Sequence, residues 1–193
     1  MFFMNRVIVS ALLIVAMAFS SFAQEEQHEG QQSQNAGLAS AMNGLTAVDE
    51  SFVYDESKMV AIPQTNIRIQ PPEYFIYSDS LPGFMHVGTM SSIQVEEVAG
   101  TSYIMISRAM DSAYFASQGM KLISVEPVVM HDGSDGVLFT AEMKLKGFMF
   151  ERLILMSGDY HYTIWVNAGY IKLMRNKMKP IILQSMLTSK IYE

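Results

Sequence analysis

Residues 131–136 read His131-Asp132-Gly133-Ser134-Asp135-Gly136, a short run of the oxygen and imidazole groups that a metal site would use. A calcium loop of the EF type needs oxygen ligands at alternating positions and a Glu at the twelfth. Counted from Asp132, the third residue is Ser134, the fifth is Gly136 and the twelfth is Met143, so the pattern fails. What remains of a metal reading is His131 beside Asp132, half of a surface site. Asp-Gly twice between two alternating apolar runs is instead what a tight hairpin requires, because both residues accept a left-handed backbone.

The other chemical groups are scattered. The four His (His28, His86, His131, His161) have no H-x-x-x-H spacing. No Ser lies in G-x-S-x-G, and no glycine-rich phosphate loop precedes a helix. Glu96 and Glu97 are neighbours on a predicted strand and must point to opposite faces. Glu126 precedes Pro127, which marks an edge or a bulge, and Asp111 stands apart from it. No catalytic residue, cofactor or metal site is therefore expected. The chain holds 17 Met. Thioethers can bind Cu(I), but these do not cluster as M-x-x-M. Met85, Met90, Met105, Met110, Met120, Met130, Met143, Met149 and Met156 mostly fall at apolar positions, where Met fills gaps in a core.

One stretch is a candidate for binding. In YFIYSDSLPGF, Tyr74, Phe75, Tyr77 and Phe84 crowd a segment that reads as a loop with a Pro82-Gly83 turn. Phe75 and Phe84 suit buried plugs at the end of a sheet. The functional reading makes all four a partly exposed aromatic patch that grips a partner.

The elements that must position these residues follow from periodicity. Ile67 and Ile69 alternate with Arg68 and Gln70, a strand stopped by Pro71-Pro72. A second strand lies in SSIQVEEV. Tyr103, Ile106, Met110, Ala113 and Tyr114 recur at helical spacing, with Thr101 or Ser102 as cap and Gly119 as stop. Four strands follow, MKLISVEPVVM, GVLFTAEMKLK, FMFERLILMSG and HYTIWVNAG. The short gaps between them predict an antiparallel meander. A last helix covers NKMKPIILQSMLTSKI, with Pro180 in its first turn. The order β, β, α, four β, α predicts an α+β fold: a central antiparallel sheet of about six strands flanked by helices, with some strands covered on both faces.

Composition sets the surroundings. Half the residues are hydrophobic and 17% are charged, enough for one globular core. Residues 1–23 carry one early cation, Arg6, an apolar run from Val7 to Phe19, and small residues Ser21 and Ala23 before a cut, which reads as a secretory signal peptide. Residues 24–58, polar and Gln-rich at first, read as a disordered tether. The domain is then 59–193. There is no cysteine, hence no disulfide and no lipid-acceptor thiol. The net charge of −6, or −7 once Arg6 leaves, argues against nucleic acid.

The runs IPQTNIRIQPPEYF, FASQGMKLISVEPVVMHDGSDGVLF, FERLILMSGDYHYTIWVNAGY and ILQSMLTS, in that order and spacing, resemble the Mog1/PsbP-like superfamily over about residues 60–190. The likeness extends to exported bacterial members such as the DcrB-type envelope proteins. It implies an α/β/α sandwich, a binding or assembly role as in members that hold a small GTPase or support photosystem II, and no shared active site. The DcrB-type lipidated cysteine is missing, so no stable membrane anchor is expected after signal cleavage. The expectation is an exported, periplasmic or secreted, non-enzymatic module that holds an envelope protein as monomer or weak dimer. The alternative is a periplasmic carrier of a small ligand or metal ion.

Overall fold

The computed structural model describes residues 52–78 and 80–192. The signal peptide and most of the tether lie outside the described residues. The chain forms β1 (Val60–Ala61), β2 (Ile67–Ile69), β3 (Ile76–Ser78), β4 (Gly83–His86), β5 (Ser91–Ala99), α1 (Tyr103–Ala109) and α2 (Ser112–Ser117). Then come β6 (Met120–Val129), β7 (Asp135–Leu145), β8 (Phe148–Gly158), β9 (Tyr162–Ile171), α3 (Arg175–Leu187) and β10 (Lys190–Ile191). Seven strands make one antiparallel sheet in the order β3-β4-β5-β9-β8-β7-β6, and β1-β2-β10 make a small second sheet. The fold is α+β, as expected, with one strand more in the main sheet than expected.

The meander β6 to β9 pairs as its short gaps require. HDGSDG is the β6–β7 turn: Asp132 Oδ1 accepts from Ser134 N at 2.9 Å and from Ser134 Oγ at 2.7 Å. Gly133 takes φ +86°, a left-handed value that costs glycine little. The opening question of the sequence is thus settled in favour of the turn.

β8 and β9 are buried along nearly their whole length, so their two faces feed two cores. Leu153, Leu155, Ile164, Val166 and Tyr170 pack with Met178, Ile182 and Met186 of α3 and with Ile67 and Ile69 of the small sheet. Ile154, Met156 and Trp165 face the other way, onto Ile106, Met110 and Phe115 of the α1–α2 segment. The molecule is a three-layer sandwich whose two cores lie between Ile62 and Ile191. Met110, Met120, Met130, Met156, Met178 and Met186 are buried gap-fillers, while Met90, Met105 and Met149 are exposed.

Four sequence expectations need correction. The loop after Pro72 is a hairpin, β3–β4, laid on β5 with Phe84 opposite Ile93. Gly83 is essential to that contact, because a Cβ there would sit 2.0 Å from the Ile93 carbonyl oxygen. The single helix over 103–114 is two: Met110 leaves helical geometry, and Asp111 Oδ1 accepts from Tyr114 N at 2.8 Å to start α2 afresh. Pro180 is the sixth residue of α3, inside it, because the helix begins at Arg175. The residues after Leu187 leave the helix, and Lys190 and Ile191 pair with Arg68 and Ile67. In addition, residues 53–58, assigned to the tether, are fastened to the domain. Gln70 accepts from Asp55 N at 2.8 Å and donates to the Val53 carbonyl at 2.9 Å, and Tyr54 stacks on His131 at 4.8 Å.

Candidate functional site

The β3–β4 hairpin forms one edge of the main sheet. Alternation divides its aromatics. Phe84 is buried among Ile93 and Val95, and Phe75 is buried and stacks on His86 at 5.5 Å between ring centres. His86 Nδ1 lies 2.8 Å from Thr89 Oγ1, and burial pushes its pKa below the ordinary imidazole value. These residues root the hairpin. Tyr74 is 53% exposed and Ile76 59% exposed; Tyr77, on the opposite face of β3 from Ile76, is exposed too, and its ring meets Phe84 edge-on at 5.6 Å. Of the four residues singled out in the sequence, two are thus buried anchors and two are surface; Ile76 joins the surface pair.

Tyr74 has a φ of +66°. A left-handed backbone costs a non-glycine residue about 1–2 kcal/mol. Gln64, Met90 and Lys146 share this left-handed backbone. β3 has no strand on its outer side among the described residues, so its outward backbone groups are open to an added strand.

A second cluster escaped the sequence reading. Arg152 of β8 is buried against Asn167 of β9: Nε and Nη2 donate to Asn167 Oδ1 at 3.3 and 3.0 Å, and Nη1 lies 3.9 Å from Met143 sulfur. No carboxylate pairs with it among the described residues. Burial pushes its pKa down to about 10, so the guanidinium stays charged at neutral pH. Gln94 is opposite Asn167 and Glu96 is opposite Trp165. Gln94 Nε2 donates to Glu96 Oε1 at 2.6 Å, and burial pushes the Glu96 carboxyl up. On the same face the buried Gln94 Oε1, Trp165 Nε1 and Tyr114 hydroxyl have no hydrogen-bond partner. The signal was present in FERLILM: adjacent charges in a strand buried on both faces must enter separate layers. Glu151 indeed enters the other one. It accepts from the Tyr170 hydroxyl and faces Arg175 at 3.5 Å and Lys179 at 3.8 Å, which ties α3 to the sheet.

The remaining candidates are structural. His161 is exposed in the β8–β9 turn, where its N–H donates to Asp159 Oδ1 at 2.6 Å. Glu126 accepts from Ser124 Oγ at 2.7 Å on the edge strand β6, as Pro127 implied. Among the described residues no group of three His, Cys, Asp or Glu side chains could hold a metal ion, and no helix is long and apolar enough to cross a membrane.

No protein-family model and no curated protein matches the sequence. Solved structures do match. The chain is similar to LpqN of Mycobacterium tuberculosis, a protein involved in cell envelope biogenesis, at 8% identity and a TM-score of 0.52, over 66% of this chain and 83% of that one. It is also similar to cyanobacterial PsbP (CyanoP) of Synechocystis, at 15% identity and a TM-score of 0.49 over 69% and 91%, and to PA94 of Pseudomonas aeruginosa, of unknown function, at 14% and 0.44 over 70% and 96%. The likeness to LpqN is one of fold, and the α+β architecture with its flanked antiparallel sheet is the one the sequence resemblance implied.

Proposed function

We propose that this chain is an exported, non-enzymatic binding or assembly module of the bacterial envelope that holds a protein partner along β3. One observation carries the reading: Tyr74, Ile76 and Tyr77 stand exposed on an open sheet edge whose root, Phe75 and Phe84, is locked in the core. A rigid root with exposed apolar residues on both faces of the edge strand suits an extended segment of a partner. Its backbone would pair with β3 and its side chains would meet the two tyrosines. The signal-like residues 1–23 and the envelope role of LpqN support the compartment. The test is capture of partners from the cell-envelope extract after mild crosslinking, with the native chain and with Tyr74→Ala/Tyr77→Ala. The expected result is one dominant partner lost in the variant. Unchanged capture would overturn the assignment.

The carrier reading keeps one supporting observation: the buried Arg152 has no carboxylate partner among the described residues, and on the same face the Trp165 Nε1 donor has no partner. Such a pair suits a small ligand bearing a carboxylate or phosphate. Native mass spectrometry of protein purified from its own cell would show a bound mass that disappears in Arg152→Met. Apo protein alone would count against it.

A further inference from the structure

The charges of this acidic chain are sorted by end. The β6–β7 and β8–β9 turns carry Asp132, Asp135 and Asp159 and no Lys or Arg. The opposite end holds seven of the 13 Lys and Arg: Lys121 at the start of β6, Lys144 and Lys146 at the β7–β8 turn, then Lys172, Arg175, Lys177 and Lys179 from the end of β9 into α3. The register brings them together, since Glu142 pairs across to Lys121 and Phe150 pairs with Ile171. Among the described residues two acids meet Lys172, Arg175 and Lys179 there. Glu142 is held by Lys172 at 2.5 Å, and the side chain of Glu151 is fully buried. Lys121 at the start of β6 and the exposed Lys144 and Lys146 of the β7–β8 turn keep this end positive.

The same end bears apolar side chains that point into solvent. Leu173 is 91% exposed, Phe148 is 53% exposed, and Met149 is exposed beside it. The β4–β5 connection, with exposed Val87 and Met90, opens on this end too. Protein-binding patches bury aromatics in a flat apolar centre. Here single apolar residues project between flexible lysines, which is the arrangement that enters a lipid interface while the cations meet headgroups.

We propose that this end docks the protein on a membrane leaflet rich in anionic phospholipid, with Leu173, Phe148 and Met149 inserted and the surrounding cations on the phosphates. Docking is peripheral and reversible, set by charge and a few apolar residues rather than by a span. It rests on residues other than those of the β3 reading: Lys144, Lys146, Phe148 and Leu173 rather than Tyr74, Ile76 and Tyr77.

The test is co-sedimentation of the chain from Gln24 onward, which holds both cores and leaves out the apolar run Val7–Phe19. The vesicles are phosphatidylcholine alone or phosphatidylcholine with one third phosphatidylglycerol. Binding is expected on the anionic vesicles only. It should fall about tenfold or more in Lys144→Glu/Lys146→Glu, since each cation near a charged surface contributes substantially. It should also fall in Leu173→Ser/Phe148→Ser and in 0.5 M salt. These positions are exposed, so circular dichroism should show all variants folded. Equal binding to neutral vesicles, no binding to either, or native-like binding by the lysine variant would overturn the proposal. Binding to polyglutamate without binding to vesicles would overturn it in favour of an acidic protein.

Discussion

The two edges of the main sheet are built differently. β6, at one edge, is ten residues long and exposes Ile123, Val125 and Val129, yet it is guarded. Its register breaks between Leu122 and Ser124, Pro127 removes a backbone donor, and Lys121 and Glu126 add charge. Each of these devices discourages a second strand from adding. β3, at the other edge, has no proline, no bulge and no charge in Ile76-Tyr77-Ser78. Only its shortness limits what it can pair with. The difference teaches where association is discouraged and where it is left open.

The contrast can be broken first at the root of β3. Phe84→Ala should cost about 3–5 kcal/mol, as for a fully buried aromatic, whereas Val125→Ala on β6 should stay within about 0.5 kcal/mol. Urea unfolding of the two variants compares them directly. Next, Tyr74→Gly should stabilise the fold by up to about 1 kcal/mol by relieving the left-handed backbone, while weakening partner capture. Gain of stability with full capture would remove the functional reading of that residue. A smaller effect concerns pH. His86 is held neutral by burial, with a folded pKa below 6.5. The unfolded chain therefore binds the proton first, and the contribution of His86 is complete above pH 6.5 and lost as pH falls toward the folded value. The unfolding midpoint should drop between pH 7.5 and pH 5, and drop less in His86→Gln. The smallest change in stability is expected for Pro127→Val, whose readout is association: sedimentation velocity should show self-association that the native chain lacks.

Much of this fold was legible because its longer strands alternate and are separated by glycine turns. The six strands read from the sequence, Ile67–Ile69, β5 and the four of the meander, lie where the period placed them. β3 and β4 were not, since three or four residues give no measurable period and the Tyr74 backbone hides the strand start. The helical spacing ran through Asp111 because Met110 and Tyr114 sit on one face even though the helix restarts between them. The four aromatics were visible as a cluster. Which of them face inward depends on the pairing of Tyr77 with Phe84 and of Phe84 with Ile93, and composition cannot supply that. The basic end was equally hidden, because its lysines come from three separated stretches that only the register joins.

In the proposed function the β3 edge, and not the β6 edge, holds the partner. The direct test is a photo-crosslinking residue placed at Tyr77 or at Val125 and activated in the cell envelope. One discrete crosslinked protein is expected from position 77 and none from 125. Equal products from both positions, or a product from 125 alone, would contradict it.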